Sequence, residues 1–105
     1  VSSKPSAVPQ RKLLTIVTEA VLETTLVRDI EQHNAHGYTI TDARGKGSRG
    51  VRGAGWEASS NIRIEVLCDA STAEGLAAHL RDHYYADYAM ILFLSDVEVL
   101  RPAKF

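Results

Sequence analysis

The chain has 105 residues, 45% of them hydrophobic, enough for one modest core without disulfide staples. Twelve basic residues against thirteen acidic ones leave a formal net charge of −1, which argues against a generic nucleic-acid or membrane-surface binder. Phosphate recognition, if there is any, must come from a local cluster, and the single cysteine, Cys68, rules out an internal disulfide framework and suits a reducing, cytoplasmic compartment.

Residues 1–10 are polar, carry Pro5 and Pro9 and lack an apolar core, so they are expected to form a disordered tail, neither a secretory signal nor a membrane span. Residues 11–105 then make one domain. The run Leu13-Leu14-Thr15-Ile16-Val17 is short, apolar and partly β-branched, as in a buried strand. Leu22, Leu26 and Ile30 recur at four-residue steps among charged residues, which predicts an amphipathic helix stopped by Gly37. Tyr38 and Ile40 alternate with threonines, and Ile62, Ile64, Val66 and Cys68 repeat that period of two, so the two stretches should pair as a hairpin. Their connection, Gly45 to Ser60, is long for a hairpin loop and rich in glycine.

Ser71 followed by Glu74 has the spacing of a capping box and predicts the start of a second helix, with Ala73, Leu76, Ala77, Leu80 and Tyr84 as its apolar stripe. Residues 89–94 then read as a continuously apolar strand. The order strand, helix, strand, strand, helix, strand predicts an α+β, ferredoxin-like βαββαβ sandwich, a four-stranded antiparallel sheet with two helices on one face. A strand apolar at every position needs both faces covered, and two helices cover only one, so a second copy of the chain is the simplest cover for the other.

Gly45-Lys46-Gly47-Ser48-Arg49-Gly50-Val51-Arg52-Gly53 is the segment richest in chemistry. Its glycines permit positive φ and an amide nest for an anion, Arg49 and Arg52 offer forked bonds to phosphate, and Lys46 offers a point charge. A solvated loop has the same composition, and no Walker motif is present. His79 and His83 lie four apart without the carboxylate of a His-Glu-x-x-His site, so solvated histidines are expected rather than a metal centre. His33 and His36 close the first helix, where a cation is mildly favourable. Cys68 falls on the apolar side of its strand, and Tyr84 is expected to pack.

Val17-Thr18-Glu19 after the first strand, residues 37–41 opening the second, Gly45-Lys46-Gly47-Ser48-Arg49 with Val51-Arg52, and residues 85–89 before the last strand occur in a distinctive order and spacing. Together they resemble the PII-like subfamily of signal-transduction proteins that partners the cyanobacterial sodium-dependent bicarbonate transporter. The resemblance implies a homotrimer that binds cyclic AMP, AMP, ADP or ATP in clefts between subunits without turning them over, a divalent cation with ATP being an option. Gly37, Tyr38 and Thr39 would line the cleft, and Tyr88, Ala89, Met90 and Ile91 would meet the base through backbone groups. Gly45, Lys46, Gly47, Ser48, Arg49 and Arg52 would form the base of a T-loop spanning residues 45–60. Thr18 and Glu19 would border the site and Arg101 would reach it from the C-terminal segment. Val51, Gly53, Ala54, Gly55, Trp56 and Glu57 would face the transporter, recruiting the protein to the plasma membrane in inorganic-carbon acclimation. Many relatives end in a two-cysteine redox hairpin, whereas residues 100–105 here contain no cysteine, and the loop lacks the tyrosine that is uridylylated in nitrogen-regulatory PII proteins.

Two other readings of this strand-helix order are a divalent-ion-binding trimer of the same superfamily and a nucleic-acid-binding ferredoxin-like module. The histidines are too scattered for the first. Residues 61–66 carry none of the stacking aromatics that the second needs. A small hydrolase would need a phosphate loop with a positioned base, and no such pair stands out.

Overall fold

The computed structural model describes residues 10–45 and 61–101. Strand β1 (Gln10–Glu19) leads through a 3₁₀ turn (Ala20–Leu22) into helix α1 (Glu23–Gln32), and β2 (Tyr38–Ala43) and β3 (Asn61–Cys68) follow. Helix α2 (Ala70–Tyr84) and strand β4 (Met90–Glu98) complete the chain. The sheet is antiparallel in the order β2-β3-β1-β4, the ferredoxin-like arrangement that the element order predicts.

The period of two decides which side chains face the helices. Leu14 pairs with Val66 and Leu94, Ile16 with Ile64 and Leu92, and Thr18 with Ile62 and Met90, so these residues share one face. Against that face lie Leu22, Leu26 and Ile30 of the first helical stretch and Ala73, Leu76 and Leu80 of α2, all buried. Tyr38 and Ile40 pack at its margin and Cys68 closes it, as their alternation requires. Burial, followed by the nearby Asp69 carboxylate, pushes the Cys68 thiol above its ordinary pKa, so it is a packing residue and a poor nucleophile. The first strand begins at Gln10, which pairs with Glu98, so the ladder includes the last residue assigned to the tail.

Both helices are bounded by residues other than those the sequence nominates. Asn34 adopts a left-handed φ of 65° and ends α1 in a Schellman motif, Ala35 N–H donating to the Ile30 carbonyl and Asn34 N–H to that of Glu31. Gly37 therefore lies beyond the stop and simply precedes β2. At the start of α2 the cap is Asp69, whose Oδ1 accepts the Thr72 N–H at 2.8 Å and the Ser71 hydroxyl at 3.2 Å. Ser71 is engaged as a donor to that carboxylate and forms no capping box with Glu74. The backbone bond is the leading reason that the Asp69 carboxyl titrates below its ordinary range.

The helices are joined by a polar seam. Tyr84 Oη donates to Asp29 Oδ2 at 2.5 Å, and His79 Nε2 lies 3.6 Å from the same oxygen. The His79 ring is stacked between His33 and His83, with centroids 4.7 and 4.0 Å away. The histidines expected to be solvated are therefore partly built into the packing, although His83 remains exposed. Desolvation, reinforced by the bond to Asp29, pushes the Tyr84 phenol up to about 12. Its protonated form is favoured in the folded chain, so that contribution to stability is complete below the ordinary tyrosine range and is lost as pH rises through about 12. In an ultraviolet titration one of the four tyrosines should ionise only near pH 12, and Tyr84→Phe should abolish that late step. The same variant should lower unfolding free energy by about 1.5 kcal/mol in denaturant, the low end for a bond to a charged group because this pair is partly exposed. An unchanged titration would refute the assignment.

Candidate functional site

Four chain segments meet at one end of the sheet. Glu19 ends β1 and pairs with Asn61, which opens β3 and pairs in turn with Ala43 at the end of β2. On the other side of β1, Thr18 pairs with Met90 at the start of β4. The ladder thus holds the two ends of the 46–60 connection side by side, one strand away from the point where the α2–β4 connection returns to the sheet. Lys46, Gly47, Ser48, Arg49, Val51, Arg52, Gly53, Ala54, Gly55, Trp56 and Glu57 lie outside the described residues. Gly45 is exposed, and a Cβ added there would meet nothing within 4 Å. Its backbone is not left-handed, so neither space nor conformation requires glycine at this position.

Thr18 and Glu19 act on one residue of the returning chain. Thr18 Oγ1 donates to the Ala89 carbonyl at 2.7 Å, and Ala89 N–H donates to Glu19 Oε2 at 2.8 Å. Thr18 is buried and Glu19 half-buried, and consecutive strand residues face opposite sides of a sheet, so the two side chains grip Ala89 from the two faces. Tyr88 and Met90 are partly buried against the core, while Ile91 is 53% exposed on the face that carries no helix. These contacts span about seventy residues of sequence, and no local pattern announces them.

The other expected cleft residues are elsewhere. Gly37, Tyr38 and Thr39 belong to the β2 edge and Tyr88 to Ile91 to the β4 edge. Three inter-strand spacings, about 14 Å, separate those edges. They are also offset lengthwise, since Tyr38 is level with Val66 and Leu14 whereas Met90 is level with Thr18. Arg101, exposed, follows the far end of β4, about 27 Å along the strand from Met90 at 3.3–3.4 Å per residue. Among the described residues, one chain therefore carries these parts of the expected site without joining them.

The helix-free face has its own signature. Phe93 is 44% exposed there beside Ile91, with Leu13, Val17 and Leu67 half-buried around them. Between Phe93 and Glu65 in register, Thr15 is fully buried, and its hydroxyl has no hydrogen-bond partner among the described residues. Arg63 and Glu65 form an ion pair at 3.3 Å on the same face. Among the described residues no three His, Cys, Asp or Glu side chains converge as metal ligands, and no helix is long and apolar enough to cross a membrane.

Comparison with known proteins places this geometry. The family model of nitrogen regulatory protein P-II matches residues 11–104. A PII-like signalling protein of Thermus thermophilus is 39% identical and superposes with a TM-score of 0.79, the match covering 95% of this chain and 99% of that one. CPII of Thiomonas intermedia, solved with ADP and bicarbonate, is 23% identical over 93% of this chain and 96% of its own, with a TM-score of 0.79. The same protein solved with ADP, AMP and bicarbonate gives 24% identity, 93% and 95% coverage and a TM-score of 0.78.

Proposed function

Since the chain belongs to the family of nitrogen regulatory protein P-II, it is a PII-like signalling protein, and we propose that its signal is an adenine nucleotide held between the subunits of a homotrimer. The observation that carries this reading is the separation of the β2-edge and β4-edge residues, which only a neighbouring copy can bring together. Gly37, Tyr38 and Thr39 of one subunit would face Tyr88, Ala89, Met90 and Ile91 of the next. Lys46, Arg49 and Arg52, with the amides of Gly45, Gly47 and Ser48, would take the phosphates. Arg101, beyond the far end of β4, would reach the site of a neighbour. The helix-free face supports the assembly, because contact with another copy would cover Ile91 and Phe93.

ADP and AMP, held together with bicarbonate on this fold in the Thiomonas protein, lend support to adenine nucleotides as the ligand class. Cyclic AMP, AMP, ADP and ATP are the candidates, with a divalent cation beside ATP. In this reading binding without turnover is the function. The downstream partner is a sodium-dependent bicarbonate transporter at the plasma membrane, met through Val51, Gly53, Ala54, Gly55, Trp56 and Glu57. A ligand shifts such a partner's affinity only by binding two states of the loop unequally.

Calorimetric titration with the four nucleotides should give saturable binding, and Arg52→Ala should weaken every phosphate-bearing ligand by about 1.5–3 kcal/mol. Absence of heat with all four, or unchanged affinity in the variant, would contradict the reading. Sedimentation should find three copies, and Phe93→Glu, which puts a charge on the helix-free face, should yield a folded single chain that no longer binds nucleotide. A wild-type single chain that binds nucleotide would refute the shared site.

A further inference from the structure

We propose that Arg63 and Glu65 exchange ion-pair partners with the same two residues of neighbouring copies, and so fix the register in which copies of this chain meet across the helix-free face. The strand ladders lay that face out in rows. Thr39, Glu65, Thr15 and Phe93 are level with one another, as are Thr41, Arg63, Val17 and Ile91. Within these rows Phe93, Ile91 and Val17 make one side apolar, while Thr39, Thr41, Arg63 and Glu65 make the other polar. One cation and one anion thus stand two strand spacings, about 10 Å, from the two exposed apolar residues. Size brings both sides into one contact. A stable association buries about 800 Å² on each partner, a patch about 28 Å across, so a contact centred on Ile91 and Phe93 extends about 14 Å to either side and takes in β3. The inference takes from the functional reading only that copies associate through this face.

Within one chain the pair is incomplete. Arg63 Nε and Nη2 both donate to the same Glu65 oxygen, Oε2, at 3.3 Å, longer than the roughly 2.7–2.9 Å of a well-made charge-assisted bond. Glu65 Oε1 and Arg63 Nη1 make no hydrogen bond among the described residues. The two side chains are 43% and 39% exposed, so in a single chain water completes them. Covering them removes that water, and an ion pair taken out of water is tolerated only when its remaining donors and acceptors find partners. Another copy supplies what is missing in matching sign, its Glu65 for this Arg63 and its Arg63 for this Glu65. Like charges set opposite each other cost affinity, so the pair admits only registers that cross the signs.

Sedimentation of the full chain tests this with two charge-reversed variants and their mixture. Arg63→Glu leaves two acids at these positions and Glu65→Arg two bases, and each variant alone should dissociate at a concentration about tenfold or more above that of the wild type. An equal mixture of the two should recover most of the association, because opposite charges then meet only between copies. Arg63→Gln and Glu65→Gln, which remove a charge without reversing one, should weaken association in the same direction, and they serve where circular dichroism finds a reversed variant unfolded. Variants that associate as the wild type does would place the pair in water outside the contact. A mixture no heavier than its components would confine the pair's action to its own chain. Either result overturns the proposal and leaves the assembly standing, whereas a wild type that sediments as one chain overturns the assembly and the proposal with it.

Discussion

Every element of this fold is placed with reference to β1, whose two ladders, to β3 on one side and β4 on the other, are the longest in the sheet. Its inward residues Leu14, Ile16 and Thr18 are wholly or almost wholly buried, and so is Thr15 on its outward side. A central strand of this kind leaves little freedom of register, because a slip of one residue would exchange an aliphatic face for one carrying Arg11, Thr15 and Glu19. The register set here determines that Asn61 and Met90 arrive on opposite sides of the same two residues, Thr18 and Glu19. Function can gather at that end because the strand that builds the core also fixes the meeting point.

Much of the fold is legible in the sequence because its elements are periodic. The alternation of Ile62, Ile64, Val66 and Cys68, and the stripe Ala73, Leu76 and Leu80, correspond to buried positions, and the element order leads to the observed sheet. Element boundaries are less legible because several residues compete for each cap. Asn34, Gly37, Asp69 and Ser71 all have plausible end-of-helix chemistry, and the winner is settled by the backbone path into the next element. Asp69 prevails over Ser71 because its carboxylate reaches the Thr72 amide and engages the serine hydroxyl as well. The Asp29–Tyr84 bond and the histidine stack are invisible to any local pattern, since they depend on where two helices separated by two strands come together.

The candidate site is legible in a different way. Its residues stand out as local motifs, but a motif does not say which edge of a sheet it will occupy. Gly37, Tyr38 and Thr39 read as cleft residues, and it is the order β2-β3-β1-β4 that sets them on the edge opposite Met90 and Ile91. The contacts of Ala89 with Thr18 and Glu19 are of a third kind, since no local motif announces them. Sequence identifies the chemistry available, and topology decides which parts of it one chain brings together.

That division bears on how such a protein can signal. A site completed within one chain would report ligand by a local change, whereas one divided between copies makes ligand binding and subunit contact the same event. The apolar patch of Ile91 and Phe93 lies on the strand whose start is held by Thr18 and Glu19 through Ala89, so covering that patch and fixing that start are coupled by a few residues of rigid β-structure. Rigid strands transmit position well, and the Ala43–Asn61 rung fixes where the chain leaves and rejoins the sheet around residues 46–60. A ligand bound at that end of the sheet would therefore meet a fixed frame, and only contacts that differ between two states could carry a signal beyond it.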